Sequence, residues 1–218
     1  MTKEVIIIGG GAAGFFCAVN CARLNPEAKV TILEKSSKLL SKVRVSGGGR
    51  CNVTHQCFDN RELVKNYPRG EKELHSAFDR FSVKQTIEWF GDRGVKLKTE
   101  EDGRMFPVTD TSETIIDCLL EEAHHYNVQI KTNCNVVKII PDTAKKNFTL
   151  TLDNGESVTC DKLVIATGGN PKESAYEWLC EPGHTIEKPI PSLFTFNIPE
   201  KKLTELMGLS VPQARIRI

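Results

Sequence analysis

A glycine pattern near the N-terminus constrains the fold of this 218-residue chain more than any other feature. A β-branched apolar run at residues 3–8 leads into Gly9-x-Gly11-x-x-Gly14, and apolar residues at helical spacing then continue to about Leu24. In this setting the first glycine permits a tight turn, the second admits a pyrophosphate to the backbone, and the third allows close packing of helix on strand. The sequence therefore predicts a strand–turn–helix unit whose helix N-terminus binds phosphate.

A carboxylate lies where such a unit would hold an adenosine. The second apolar strand, residues 29–34, ends in Glu34, which follows Gly14 by 20 residues. A carboxylate here can accept hydrogen bonds from ribose hydroxyls and disfavours a 2′-phosphate. We therefore expect a right-handed βαβ unit that binds FAD or NAD rather than NADP. The simpler interpretation is a glycine turn followed by a surface glutamate.

The loop at 35–58 is rich in cations and glycine. It contains five cations and no acid, and the three consecutive glycines 47–49 can expose backbone N–H groups as an anion nest. We expect this loop to bind a pyrophosphate, with Arg50 and Asn52 reaching toward the flavin side of the cofactor; the alternative is a solvated basic loop. The cations are Lys35, Lys38, Lys42, Arg44 and Arg50.

The remaining chain does not continue as a simple alternation of strands and helices. Helical patterns are followed by a small antiparallel meander, and an apolar strand at 162–169 then returns to the first sheet. Hairpins are predicted at Asp102-Gly103 and at Asn154-Gly155, where a tight turn requires positive φ at both central residues. The predicted helices cover 71–80, 82–93 and 112–126, and the predicted strands cover 128–132, 135–141, 147–152 and 156–160.

The order of the segments and three short motifs bear on the choice between FAD and NAD. The segment order resembles the FAD domain of the two-dinucleotide-binding-domain flavoproteins. The motifs SGGGRCNVTH at 46–55, YPRG at 67–70 and GRMFP at 103–107 resemble the HI0933-like family of flavoproteins over essentially the whole chain. The chain departs from that pattern at His55, where the family has Asn, so no family role is carried over to this position.

The resemblance implies an α/β fold with a Rossmann-like FAD-binding domain, an antiparallel β-meander and the start of an inserted β-rich domain. We expect the FAD-binding domain over 1–189 and a truncated substrate-side domain over 190–218, with strands at 192–198 and 211–218. The residues expected to contact FAD are Gly9, Gly11, Ala12, Ala13, Gly14, Glu34, Lys35, Lys42, Ser46, Gly47, Gly48, Gly49, Arg50, Cys51, Asn52, Val136, Ala166, Thr167, Gly168 and Gly169.

The resemblance also implies an FAD-dependent oxidoreductase in which hydride from NAD(P)H or a substrate passes through flavin N5 to a small molecule, such as a conjugated ketone. One alternative is a non-catalytic FAD-binding module. The alternating pattern that runs to Ile218 also leads us to expect a chain cut inside a β element, inactive alone and with a longer natural counterpart.

The eight cysteines suggest a third interpretation. Flavin disulfide reductases carry a redox pair after the second strand, where Cys51 and Cys57 lie here, but with five intervening residues instead of four. Cys17 and Cys21 are one helical turn apart and are expected to pack in the core. No zinc-type cysteine spacing is present, so we expect no metal and reduced thiols.

Charge and hydropathy exclude several classes of protein. The 29 Lys and Arg residues against 28 Asp and Glu leave a net charge of +1, without the basic excess of nucleic-acid-binding proteins. No apolar run approaches the ~20 residues of a membrane span. Glu4 and the glycines interrupt the N-terminal apolar stretch, which is unlike a signal peptide. We expect a cytoplasmic protein without nucleic-acid or membrane partners, and the oligomeric state stays open.

Overall fold

The computed structural model describes residues 2–190 and the isolated positions 205 and 215. The strands predicted at 192–198 and 211–218, and with them the predicted second domain, lie outside the described residues, so the domain boundary stays a prediction.

A four-stranded parallel sheet forms the centre of the fold, with strand order β10-β1-β2-β6. Residues 5–8 of β1 lie within the sheet, paired with β2 on one side and β10 on the other. The strands are β1 Glu4–Ile8, β2 Lys29–Leu33, β6 Gln129–Lys131 and β10 Lys162–Ile165.

Both faces of this sheet are covered, which explains the continuous apolar runs. Ile7 and Ile32 pack with the helices on one face, and Ile6, Ile8 and Leu33 pack with the meander on the other. The helices of the first face are α1 Ala12–Leu24, α5 Val83–Gly91 and α6 Glu113–His125. The predicted α/β fold with a Rossmann-like core is confirmed.

The antiparallel meander is also present, in the order β7-β8-β9. Its strands are β7 Val136–Asp142, β8 Asn147–Leu152 and β9 Ser157–Cys160. The predicted turn type is wrong: only Gly155 has a positive φ, 87°, and its N–H donates to the Leu152 carbonyl at 3.0 Å. Leu152 N–H bonds to the Glu156 carbonyl, so the loop is a longer one closed by a single left-handed glycine.

A third, small sheet has the order β3-β5-β4. Its strands are β3 Thr54–His55, β4 Leu97–Thr99 and β5 Arg104–Pro107. Gly103, with φ 83°, closes the β4–β5 hairpin in the same way as Gly155 closes its own. Met105 and Phe106 bury this sheet against the rest of the molecule.

Short elements account for most of the differences from the predicted segments. The loop at 35–58 contains helix α2 Ser41–Val45, a 3-10 turn at Ser46–Gly49 and β3. Helix α3 Asn60–Val64, capped by Asp59, and a 3-10 helix at Glu173–Leu179 were not predicted, since elements of one or two turns carry too few apolar positions to show a period. Helix α4 spans Glu71–Phe78, and the predicted cap at Ser82 is present as a capping box with Gln85.

None of the described helices is long and apolar enough to cross a bilayer.

Candidate functional site

The carboxyl ends of the four parallel strands form one edge of the central sheet. The chain leaves β1 to form β2 on one side and later returns to form β10 on the other, so a crevice opens at the carboxyl end of β1. In open α/β sheets ligands bind at this point of reversal. The glycine turn, Glu34 and residues 166–169 all follow strands that end at this edge.

Two glycines of the pattern are required by packing. Gly9 has φ 114°, and a Cβ there would lie 2.4 Å from the Ala166 carbonyl oxygen. A Cβ on Gly14 would lie 1.9 Å from the Gly9 carbonyl oxygen. These two glycines therefore allow β1, α1 and the end of β10 to approach one another.

Gly11 differs from both. It precedes the first residue of α1, and a Cβ there would meet no protein atom within 4 Å. Ala12 and Ala13, the first residues of α1, are exposed beside it. Nothing within the described residues explains a glycine at position 11, whereas packing explains the other two.

Gly10 is a residue that the sequence analysis did not single out. Its N–H donates to Glu34 Oε2 at 2.8 Å, and its carbonyl accepts from Leu40 N–H at 2.8 Å. A Cβ there would lie 2.9 Å from Leu39 Cδ2. The only sequence feature that could have pointed to Gly10 was its place inside the run of three glycines.

Glu34 is oriented by three donors. Besides Gly10, the N–H and the hydroxyl of Ser36 donate to Oε1 at 2.9 and 2.8 Å. Partial burial raises the pKa of Glu34, but these hydrogen bonds and the nearby charge of Lys35 outweigh it, and the net pKa is lowered. The carboxylate is therefore ionised at neutral pH and held at the edge of the crevice. Sequence reasoning missed Ser36.

The segment after β6 lies against Glu34. The backbone N–H of Cys134 donates to the Glu34 carbonyl at 2.9 Å, and that of Asn133 donates to the Ser36 carbonyl at 3.2 Å. Val136 follows, buried, as the first residue of β7. The start of β7 therefore lies beside the Glu34 segment, and the expected contact of Val136 with FAD stays a prediction.

Helix α2 joins the glycine turn to the end of β10. Leu40, with φ 54°, precedes α2 and donates its N–H to Gly10. Lys42 Nζ donates to the Gly169 carbonyl at 2.9 Å. Thr167, Gly168 and Gly169 are exposed, so these residues and Lys42 line the same open edge.

The glycine run at 47–49 adopts left-handed backbone throughout. The φ values of Gly47, Gly48 and Gly49 are 56°, 69° and 85°, and buried Cys51 has φ 60°. Ser46 anchors the start of the run: its hydroxyl donates to the Val43 carbonyl, and its own carbonyl accepts from Cys51 N–H at 3.0 Å.

The side chains that follow the run contact the small sheet. Arg50 stacks on Phe106 and pairs with Glu100. Asn52 is exposed, and with its side-chain amide turned over its nitrogen can donate to the Thr54 carbonyl at 2.9 Å. His55 Nε2 lies 3.0 Å from the Asp102 carbonyl oxygen, so His55 caps the β4–β5 hairpin.

All eight cysteines are free thiols. Burial raises the pKa of Cys51, against a hydrogen bond with Ser46 that lowers it. Cys57 is partly buried, and its thiol faces the Asp59 carbonyl at 3.8 Å. Cys17 and Cys21 pack against the core as expected. In the part of the chain that the structure describes, no group of His, Cys, Asp and Glu could hold a metal.

The sequence pattern of the HI0933-like protein Rossmann domain matches residues 3–193. The chain belongs to the HI0933-like family. FAD is the cofactor of this family, whose members are FAD-dependent oxidoreductases.

Curated relatives of this HI0933-like chain carry two kinds of name. A 3-dehydro-bile acid Δ(4,6)-reductase of Clostridium scindens is 27% identical over 95% of this chain and 50% of its own length. Ribosomal RNA dihydrouridine synthases are 34% identical in Escherichia coli, over 76% of this chain and 39% of that protein, and 31% identical in Haemophilus influenzae, over 96% and 53%. The chain spans about half the length of these relatives or less.

Solved structures share the fold. The 3-ketosteroid-Δ4-(5α)-dehydrogenase of Rhodococcus jostii RHA1 superposes with a TM-score of 0.56 at 15% identity, over 80% of this chain and 48% of the dehydrogenase. Thermovibrio ammonificans THI4 superposes with a TM-score of 0.52 at 10% identity, over 84% of this chain and 63% of THI4.

Proposed function

We propose that the crevice at the carboxyl edge of the parallel sheet binds FAD, and that the enzyme reduces a carbon–carbon double bond conjugated to a carbonyl in a small molecule. The observation that carries the FAD site is the contrast among the three glycines. Gly9 and Gly14 are explained by packing, whereas Gly11 faces open space.

Gly11 gives the pyrophosphate access to the backbone. A side chain here would project from the N-terminus of α1, which carries no acidic residue in its first turn. The free N–H groups and the partial positive charge of that terminus attract an anion. The proposed pyrophosphate therefore lies against Gly11, Ala12 and Ala13.

Glu34 has room to accept a ribose hydroxyl. A carboxylate offers about four acceptor positions, and three donors already occupy this one. Oε2 has a single donor, so a free position remains there. The Ser36 hydroxyl also lies 3.1 Å from the Lys38 carbonyl and can turn to it, which would free a position on Oε1 for the second hydroxyl.

The phosphate side of the proposed site is formed by α2, the glycine run and the end of β10. The Lys42 ammonium has three N–H donors. One donates to the Gly169 carbonyl, so two remain for a phosphate. After the left-handed glycines, Arg50 (φ −98°, ψ −16°) and Cys51 (φ 60°) give the right-handed to left-handed alternation that is typical of an anion nest. We propose that FAD contacts Lys35, Lys42, Ser46, Gly47, Gly48, Gly49, Cys51, Asn52, Val136, Ala166, Thr167, Gly168 and Gly169.

The proposed reaction follows from the chemistry that the relatives' names share. Bound FAD supplies hydride transfer through flavin N5. A 3-oxo-Δ4 bile acid and a uracil ring each carry a C=C bond conjugated to a C=O bond. NAD(P)H would give up a hydride and become NAD(P)⁺, and the substrate would gain that hydride at the β-carbon and a solvent proton at the α-carbon.

Two of the relatives favour a second candidate substrate, a uridine in ribosomal RNA. The charges of the basic loop support the small molecule instead. Arg44 is paired with Glu113 and Arg50 with Glu100, so carboxylates neutralise both arginines of the loop. Only part of the loop's positive charge is thus available to an RNA backbone.

The assay that tests the proposal offers the reduced protein both substrates. Because this chain alone is expected to be inactive, the protein assayed is a form extended to the length of the relatives. We expect it to consume NAD(P)H with a 3-oxo-Δ4 steroid and to give a product heavier by two hydrogens in mass spectrometry. Dihydrouridine in ribosomal RNA, with no steroid turnover, would establish the second candidate. A lack of both products while FAD is bound would favour the non-catalytic module.

The disulfide interpretation predicts a different spectrum. A thiolate of Cys51 or Cys57 next to the flavin would give a long-wavelength charge-transfer band after two-electron reduction. We expect no such band, because burial raises the pKa of Cys51 and disfavours its thiolate. We expect no new titratable thiols, because both cysteines are already free. Loss of all turnover in Cys57→Ser with FAD retained would favour the disulfide mechanism.

A further inference from the structure

Arg50 is bound on two sides by the small sheet. Its guanidinium carbon lies 4.0 Å from the centroid of the Phe106 ring. Its Nη1 bonds to Glu100 Oε1, and Asp110 Oδ1 lies 3.6 Å away. A guanidinium stacked on an aromatic face and paired with a carboxylate has little freedom left.

The same aromatic ring touches the beginning of the glycine run. Phe106 is 0% exposed, and a Cβ on Gly47 would lie 2.8 Å from Phe106 Cε1. The ring therefore lies against Gly47 and against Arg50, which precede and follow Gly48 and Gly49. Contacts at both ends fix the run between them.

A buried serine fixes the other side of the run. Ser112, which is 3% exposed, donates its N–H to the Gly49 carbonyl at 2.8 Å and its hydroxyl to the Arg44 carbonyl at 2.9 Å. Glycines lose more conformational freedom on ordering than any other residue. Three in succession keep one conformation only where their neighbours hold them.

We propose that Arg50 is a positioning residue: its stacking on Phe106 and its pairing with Glu100 hold the Gly47–Gly49 backbone ready for FAD, without a contact between Arg50 and the cofactor. This role rests on the proposed FAD site. A run that is ordered in advance binds more tightly, because the entropy cost of ordering is not deducted from the binding free energy.

Glu100 distinguishes this role from direct contact. If Arg50 pairs with the pyrophosphate, Glu100 competes with FAD, and Glu100→Gln leaves affinity unchanged or improves it. If Arg50 acts through Glu100, then Arg50→Gln and Glu100→Gln each weaken FAD binding by about tenfold, and the double variant is no weaker than either, since contacting residues are not additive. Arg50→Lys, which keeps the charge but loses the planar stack, also weakens binding.

The experiment measures the FAD dissociation constant of these variants and, without FAD, the hydrogen exchange of amides 46–52. Asp102→Asn is the matched control, because Asp102 lies on the same hairpin and pairs with Arg104 but not with Arg50. We expect faster exchange in Arg50→Gln and Glu100→Gln and wild-type exchange in Asp102→Asn.

Two results would overturn the inference. One is unchanged exchange in Arg50→Gln and Glu100→Gln, whatever the affinity. The other is a loss of FAD affinity in Arg50→Gln that Glu100→Gln does not reproduce. Absence of FAD binding by the wild type would instead refute the proposed function, and the exchange measurement would still decide whether the pair orders the run.

Discussion

At the scale of single residues, Glu34 is both a structural anchor and the proposed ribose acceptor. Its lowered pKa means that the folded state binds this proton more weakly than the unfolded chain. The stabilisation is thus fully present above the ordinary glutamate pKa of about 4.3 and is lost as the pH falls through the lower pKa of the folded state.

The Glu34→Gln variant tests this linkage. We expect wild type to lose more stability than the variant as the pH falls below about 4.3, measured by urea denaturation at a series of pH values. Glu27→Gln, at an exposed position, serves as the control and should follow wild type. Equal pH dependence in wild type and Glu34→Gln would contradict the proposed anchoring.

Removal of the Glu34 carboxylate should also weaken the binding of FAD. Glu34→Ala removes charged hydrogen bonds to ribose and is expected to cost about 1 to 3 kcal/mol of FAD binding energy, measured by fluorescence titration. A variant that folds as wild type does and binds FAD with unchanged affinity would place the adenosine elsewhere.

Gly14 should behave as a packing residue. A Cβ at 1.9 Å from the Gly9 carbonyl oxygen forces α1 away from β1, so Gly14→Ala is expected to destabilise the fold by about 3 kcal/mol in urea denaturation. Gly91→Ala is a suitable control, since a Cβ at Gly91 meets nothing within 4 Å. Wild-type stability in Gly14→Ala would mean that α1 does not pack as closely as described.

At the scale of elements, a partly buried ion pair joins the turn that follows α5 to helix α6. Arg93 Nε bonds to Glu122 Oε2 at 2.6 Å, with side chains 13% and 19% exposed, and the Arg93 guanidinium lies 3.8 Å from the Trp89 ring centroid. Removal of one partner leaves the other charge partly buried and without an ion-pair partner.

Glu122→Gln is therefore expected to lower the free energy of unfolding by about 1 to 2 kcal/mol, with FAD affinity unchanged because the pair is remote from the crevice. Glu121→Gln, the exposed neighbour on the same helix, should have no effect on urea denaturation. Equal stability of the two variants would show that the pair contributes nothing.

The elements differ in how far the sequence could predict them. Strands β1, β2 and β10 were predictable because a strand buried on both faces is apolar at every position. Helices α1, α5 and α6 were predictable from their period. Helix α2 and the fold of residues 46–49 were not, because they depend on contacts with distant segments: Leu40 with Gly10, Lys42 with Gly169, and Ser112 with Gly49.

The same distinction holds for the candidate site. Spacing identified Gly9, Gly11, Gly14 and Glu34, whose places follow from one βαβ unit. Charge alone suggested a role for Arg50 at the flavin, but its partner Glu100 lies 50 residues away. Such pairing leaves no periodic signal in the sequence.

At the scale of the whole molecule, the central claim is that the crevice between the glycine turn, Glu34 and the end of β10 is an FAD site. The elements around this crevice place backbone groups and side chains at one edge of the parallel sheet. If the claim holds, the chain binds FAD rather than NAD, and a side chain at position 11 weakens FAD binding.

The most direct test is a titration of wild type and Gly11→Val with FAD and with NAD, with thermal unfolding recorded in parallel. We predict that wild type forms a yellow complex with FAD and shows no thermal shift with NAD. Gly11→Val should lose at least about tenfold in FAD affinity while keeping its fold, at a cost of about 1 kcal/mol for the altered helix cap. A clear thermal shift with NAD and none with FAD, or FAD binding by Gly11→Val equal to that of wild type, would contradict the account.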